Sequence, residues 1–285
     1  AQKMADLDFS QKYSGTEQDE LGELGRSINS LSAQLEKSIS DLTKANQQLQ
    51  ADIERERLID EMRKSFISNV SHELKTPIAL IQGYAEGLKV NVNEDAESKN
   101  FYCDVIIDEA GKMNRLVKQL LELAKLESGS LPLERDNFAI EKLLQQVLKR
   151  NQLLFEEKGV RLETGNPTGL WVNADIELIE QVINNFLSNA LNHVDETRLI
   201  RVTVRQVGEK VRVVVFNSGL PIPEESIDKI WTSFYKVDKA RTREYGGSGL
   251  GLSIVRAVQE AHGNAYGVIN RADGVEFWFE LDRAV

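Results

Sequence analysis

The chain is short of cysteine, of long apolar runs and of positive charge, and each shortage removes a class of function. Its single cysteine, Cys103, has no second thiol to pair with and no histidine nearby at metal-ligand spacing. It reads as a buried or half-buried packing residue in a protein suited to a reducing compartment. The apolar run at 211–216, itself interrupted by Arg212, is far too short to span a bilayer. The first ten residues lack a charged segment followed by an apolar one, so no secretory signal is expected in them. With 45 acidic and 35 basic side chains the net charge is -10, which repels a phosphate backbone and argues against nucleic-acid binding. The loop G-x-x-x-x-G-K-S/T is also missing, so any nucleotide must be held by a different phosphate cradle.

At 285 residues the chain exceeds one ordinary core of about 150 residues, and its patterning divides it. From Ile28, apolar residues recur at steps of three and four through Leu31, Leu35, Leu42, Ala45 and Leu49, which predicts a long helix with a narrow apolar seam. Ser38 and Asp52 occupy seam positions and Ile53 falls off register, so the expected coiled coil is weak or adjustable. The period resumes at Ile59, Met62, Phe66 and Val70 and runs to about Leu88; 91–98 then reads as a connection. A second helix carries Phe101, Val105, Met113, Leu116, Val117, Leu120, Leu121 and Ala124 and ends near Ser128-Gly129. One such hairpin buries little surface, whereas two packed as a four-helix bundle close a core, so a homodimer is expected. After Leu131-Pro132-Leu133 strand-like runs appear at 169–172, 198–207, 210–217 and 275–281, with helices at 175–193 and 250–262. Strands grouped as hairpins suggest an α/β sandwich with a mixed or antiparallel sheet.

Three stretches carry candidate chemistry. In Ser68-Asn69-Val70-Ser71-His72-Glu73-Leu74-Lys75-Thr76-Pro77, helical spacing puts His72 and Thr76 on one face with Glu73 beside them. A neutral imidazole is a nucleophile, and an adjacent carboxylate can hold the proton on its other nitrogen. Pro77 is expected to bend or loosen the helix just beyond. Taken alone, a His-Glu pair on a helix is usually a solvated ion pair. Asn185 and Asn189 are four apart on a helix, where two amide oxygens could reach one hard cation; a merely polar face is the alternative. Gly246-Gly247-Ser248-Gly249-Leu250-Gly251 runs into an apolar-periodic helix, so backbone amides could approach phosphate, though a flexible loop reads the same. Lys236, Lys239, Arg241 and Arg243 cluster just upstream.

The first string resembles the H box of bacterial sensor histidine kinases, which implies that His72 is phosphorylated, Glu73 is its acid/base partner and Thr76 positions water for dephosphorylating a response regulator. The later pieces resemble, in order, the ATP-binding domain of those kinases, shared with gyrase, Hsp90 and MutL. By that resemblance Asn189 ligates magnesium with Asn185 as helper, and Ile230, Trp231, Phe234 and Lys236 form the F box, with Trp231 where Phe is usual. Gly247, Gly249 and Gly251, with Leu250, form the second glycine box, and Arg241 lies in the basic stretch before it. Superfamily members that hydrolyse ATP carry a glutamate where this chain has Asn185, which favours transfer to His72. The first glycine box departs from Asp-x-Gly-x-Gly: it reads Asn217-Ser218-Gly219-Leu220-Pro221, so Asn217 faces adenine without charge and Pro221 removes an amide donor. Asn192-His193 stands where Lys-Tyr is common, with His193 a candidate phosphate contact, and His262-Gly263 matches a structural helix end. The Asn-Ser-Gly-x-Pro variant is similar to that of vancomycin-resistance-type sensor kinases. Asp19-Glu20-Leu21-Gly22-Glu23-Leu24-Gly25 resembles the second half of a HAMP signal-relay module, though an acidic loop capping a helix reads the same.

These likenesses imply a partial HAMP module at 1–34, a coiled-coil linker at 35–60, a dimerising phosphotransfer hairpin at 61–130 and an ATP-binding domain at 134–285. They imply ATP and Mg2+ as cofactors, a response regulator as partner, and the cytoplasmic portion of a bacterial plasma-membrane protein whose anchor lies upstream of Ala1. The rivals are a signalling scaffold with a degenerate nucleotide site and an ATPase that hydrolyses without a phosphoenzyme.

Overall fold

The computed structural model describes residues 12, 14–15, 19–90, 95–129, 132–165, 169–237 and 248–284. Two compact units divide at Ser68/Asn69. Helix α1 (Glu20–Lys89) runs through both and continues across Pro77. Asp19 starts it, its side chain accepting the Gly22 amide at 3.1 Å. In the first unit the seam residues Leu31, Leu35, Leu42 and Leu49 are all exposed along the single chain.

In the second unit helix α2 (Ala96–Glu127) follows. Sequence patterning places 96–98 in the connection, but Asp95 caps the Ser98 amide and starts the helix there. Leu116, Leu123 and Leu126 are buried. Cys103 is exposed, contrary to the packing role expected of it: it sits one residue past the half-buried Tyr102, a step of about 100° that carries it off the covered stripe. Tyr84 packs edge-on against Tyr102 with ring centres 5.0 Å apart, closing the hairpin.

The remainder is a seven-stranded sheet with helices: β1 (Arg135–Ala139), α3 (Ile140–Arg150), α4 (Gln152–Glu157), β2 (Arg161–Thr164), β3 (Trp171–Asp175), α5 (Ile176–His193), β4 (Leu199–Val207), β5 (Lys210–Ser218), α6 (Gly251–His262), β6 (Tyr266–Arg271) and β7 (Gly274–Arg283). The strand order is β1-β3-β7-β5-β4-β2, with β6 also paired to β7. Among the described residues only β2 and β4 pair in parallel, so the sheet is mixed. The expected run at 169–172 lies two residues early, because Gly169 turns at φ 67° and the strand begins at Trp171.

Alternation along β7 sorts the faces. Val275, Phe277, Phe279 and Leu281 are buried, with Phe186 of α5 packed on Phe277 and Phe279 at 5.4 and 5.9 Å. The intervening residues meet charges on β5: Arg212 bonds Glu280 at 2.6 Å and stacks over Trp278 at 4.1 Å, and Lys210 pairs with Asp282 at 2.5 Å.

His262 closes the end of α6. Its Nδ1 lies 2.8 Å from the Val258 carbonyl and its Nε2 accepts the Asp175 amide at 3.1 Å, bonds that together require the neutral ring protonated on Nδ1. Burial holds its pKa below the ordinary 6.5 and Arg135 adds to this, while the Val258 carbonyl, Asp175 and Asp282 act the other way. A histidine depressed in this way contributes stability that is complete above its unfolded pKa and is lost as pH falls toward the folded value. Urea midpoints followed from pH 7.5 to 5 should therefore drop more steeply for the unaltered chain than for His262→Gln. The excess slope is at most about 1.4 kcal/mol per pH unit, and parallel curves would clear His262 of the effect.

Candidate active site

The phosphoacceptor candidate lies on α1 within the second unit. His72 and Thr76 are exposed and Glu73 is half-buried. Pro77 supplies no amide, so the Glu73 carbonyl loses its helical donor, and the Thr76 hydroxyl leans on the neighbouring His72 carbonyl at 3.4 Å. The imidazole is thus open to approach from outside the hairpin.

Helix α5 carries the asparagine pair. Asp175 caps it, accepting the Glu177 and Leu178 amides at 3.2 Å each. Leu178, Ile179, Val182, Ile183, Phe186, Leu187, Ala190 and Leu191 are buried, which fixes the helix's rotation and brings Asn185 and Asn189 to a half-buried face together. Asn185 Oδ1 stands 3.2 Å from where a Cβ on Gly251 would be, and its Nδ2 is buried without a hydrogen-bond partner. A buried amide left unpaired is costly, and a polar ligand or water entering here would relieve it. Amide oxygens beside a glycine turn are hard donors of the kind suited to magnesium.

The glycine segment meets the F-box segment directly. Ile230, Trp231 and Phe234 are buried, with Trp231 edge-on to Tyr266 at 4.8 Å, so the larger indole is accommodated by an aromatic wall. The Phe234 amide donates to the Gly249 carbonyl at 2.8 Å. Gly249 has φ 73°, and a Cβ there would fall 2.8 Å from Phe234 Cα and 3.4 Å from Lys236 Cε. Only glycine fits. Leu250 precedes α6 without a side-chain cap, leaving first-turn amides available to an anion. Lys236 Nζ then reaches Glu73 Oε1 at 2.9 Å. Asn185 therefore lies beside the Gly249–Gly251 turn, Lys236 lies beside the same turn, and Lys236 in turn bonds the residue next to His72.

At the far end of α5, Asn217 is 2% exposed at the end of β5 and donates through Nδ2 to the Ser218 carbonyl. Gly219 (φ 151°) lies under the His193 carbonyl, where a Cβ would come within 2.7 Å, and His193 itself is exposed. Ser218 donates to Asp195 at 2.6 Å and accepts the Leu199 amide. The Ser218 hydroxyl is the main reason the Asp195 pKa lies below the ordinary carboxylate value. This clasp, and the Lys158 ammonium near Asn192 Oδ1 at 3.4 Å, carry no motif that the sequence would flag. Arg241 and Gly247, with Lys239, Arg243 and Gly246, lie outside the described residues.

The family described as Histidine kinase-, DNA gyrase B-, and HSP90-like ATPase matches residues 174–285, the His Kinase A (phospho-acceptor) domain matches 62–129, and the HAMP domain matches 1–37. The chain is similar to Sensor protein VanSB of Enterococcus faecalis, 31% identical over 265 residues, 92% of this chain and 57% of that protein. It is also similar to Sensor histidine kinase WalK of Bacillus subtilis, 32% identical over 214 residues, 74% of this chain and 35% of that one. It thus spans from about a third to just over half of these relatives. Among solved structures, histidine kinase ThkA in complex with response regulator protein TrrA aligns with a TM-score of 0.63 at 31% identity, covering 81% of this chain and 64% of that one. An exposed histidine beside a carboxylate, an asparagine helix facing a glycine turn, and three matching segments in one order leave one assignment: the chain belongs to the sensor histidine kinases.

Proposed function

We propose that this chain is the signalling and catalytic portion of a two-component sensor kinase, which phosphorylates His72 from Mg-ATP and passes the phosphoryl group to an aspartate of a response regulator. The observation that carries it is the placing of Asn185 and Lys236 on either side of the Gly249–Gly251 turn, with Lys236 bonded to Glu73 beside an exposed imidazole. Asn189, with Asn185 beside it, would hold the magnesium ion, which when bound neutralises charge on the phosphate oxygens. Asn217, Gly219 and His193 would line the nucleoside and phosphate side, and Arg241, Gly247, Leu250 and Lys236 the polyphosphate side. In the transfer a ring nitrogen of His72 bonds to the γ-phosphorus as the bond to the β-phosphate oxygen breaks and ADP leaves. Glu73 takes up the proton from the other ring nitrogen. Thr76 would position water for the reverse duty, dephosphorylating the regulator.

The proposed division is a partial HAMP module at 1–34, a linker coil at 35–60, the phosphotransfer hairpin at 61–130 and the ATP-binding domain at 134–285. Exposed Leu31, Leu35, Leu42 and Leu49, together with Ile78, Leu80, Val117 and Leu121 on the hairpin, support a homodimer. A membrane anchor upstream, with this portion on the cytoplasmic side, fits the HAMP match. Incubation with γ-labelled ATP and magnesium is expected to give a protein-bound label that is lost in acid, survives alkali and is chased onto a cognate receiver domain. An acid-stable label, or none, would sink the reading.

A further inference from the structure

Glu73 is the carboxylate best placed to serve His72, yet it is engaged elsewhere. Its Oε1 lies 2.9 Å from Lys236 Nζ, with the two side chains 37% and 19% exposed, so the pair is partly shielded from solvent. A second tie lies alongside: Ser248 donates to Gln119 Oε1 of α2 at 3.1 Å while its oxygen receives the Leu250 amide at 3.3 Å. A third joins Gln181 Nε2 of α5 to Glu122 Oε2 of α2 at 2.7 Å. Buried Leu116, Leu123 and Leu126 back these polar ties, with α2 packed on α6. The α/β part is therefore fastened to both helices of the hairpin, and the fastening uses Lys236, whose stem passes 3.4 Å from the Cβ position of Gly249 in the candidate phosphate cradle.

We propose that the Glu73–Lys236 ion pair is a latch released by nucleotide: a polyphosphate entering the glycine cradle takes the Lys236 ammonium, which frees the Glu73 carboxylate to serve His72. The inference rests on the reading of that cradle as a nucleotide site. While Glu73 Oε1 is held by the Lys236 ammonium that oxygen is not available to His72, so the engaged pair holds His72 in an idle state. A triphosphate carries several negative charges against one on Glu73, and it competes for the same cation. Because Glu73 must be displaced, it opposes nucleotide binding. Its removal should tighten binding about fivefold, the equivalent of about 1 kcal/mol for a partly exposed pair.

Calorimetric titration of the full chain with Mg-AMPPNP tests the latch through a double-mutant cycle. Glu73→Gln is expected to bind about fivefold more tightly than the unaltered chain, Lys236→Gln more weakly, and the double variant the same as Lys236→Gln alone. Binding by the unaltered chain and Glu73→Gln with equal affinity overturns the latch and leaves the nucleotide site standing. Tightening that persists in the Lys236→Gln background also overturns it, since Glu73 would then act without its partner. Absence of binding by both the unaltered chain and Glu73→Gln overturns the site reading together with the latch.

Discussion

His72→Gln is expected to abolish acid-labile labelling from γ-labelled ATP, by about a thousandfold or more, while leaving nucleotide affinity within about twofold. A glutamine amide nitrogen has its lone pair delocalised into the carbonyl and cannot form the phosphorus–nitrogen bond that imidazole makes. The replacement is mild for the fold. Position 72 is exposed on a long helix, where His and Gln differ by only a few tenths of a kcal/mol in propensity. Labelling and affinity are thus separable readouts of one substitution. The same variant decides between transfer and hydrolysis: steady phosphate release that His72→Gln leaves untouched would indicate an ATPase working without a phosphoenzyme. Binding without label or hydrolysis in the unaltered chain would indicate a scaffold.

Gly249→Ala is expected to destabilise the chain by about 2 kcal/mol or more and to weaken Mg-AMPPNP binding about a hundredfold. Two costs coincide there. The backbone sits at φ 73°, which costs an L-residue about 1–2 kcal/mol, and the new methyl would fall 2.8 Å from Phe234 Cα, a backbone atom that cannot swing aside. The Phe234 amide bond to the Gly249 carbonyl would have to stretch to make room. Gly208→Ala separates the costs, since Gly208 has φ 60° with nothing within 4 Å. It should show the conformational penalty alone, about 1 kcal/mol, with unchanged affinity. Gly251→Ala meets Asn185 Oδ1 at 3.2 Å without a positive φ and should fall between them in affinity. Equal binding by Gly249→Ala and Gly208→Ala would show that the close approach has no part in holding nucleotide.

The long helices were legible because a repeat of three and four in a charged background is sustained over many turns, and the central strands because Val211, Val213 and Val215 alternate on a buried face. The edges were not. β1 reads Arg-Asp-Asn-Phe-Ala and β2 Arg-Leu-Glu-Thr, sequences with little apolar signal because the sheet's outer strands are mostly exposed. Asp95 lies in a polar stretch that reads as a connection, although Asp is a ready helix cap. In the candidate site, residue types at helical and turn spacing were visible, since an asparagine pair and a glycine run are local patterns. Pairings across the chain were not: Glu73 and Lys236 are 163 residues apart, and Ser218 with Asp195 looks like any serine and aspartate until the strand end is brought beside the helix end. Cys103 shows the limit of composition, since which side of a helix is covered depends on its neighbours rather than on the preference of a thiol.

The His262 hydrogen bond to Asp175 has a mechanical meaning once set beside the Asn185–Gly251 approach. Helices α5 and α6 pack together, approaching near Asn185, midway along α5, and Gly251, the start of α6, and again near Asp175 and His262. Between those two rivets α5 advances by about 15 Å and α6 by about 16 Å, nearly equal lengths. Two helices hydrogen-bonded at Asp175–His262 and closely packed at Asn185–Gly251 resist sliding past one another. The spacing between the asparagine face and the glycine end is consequently set from some distance away, and any widening of that gap must come from whatever lies outside the braced pair.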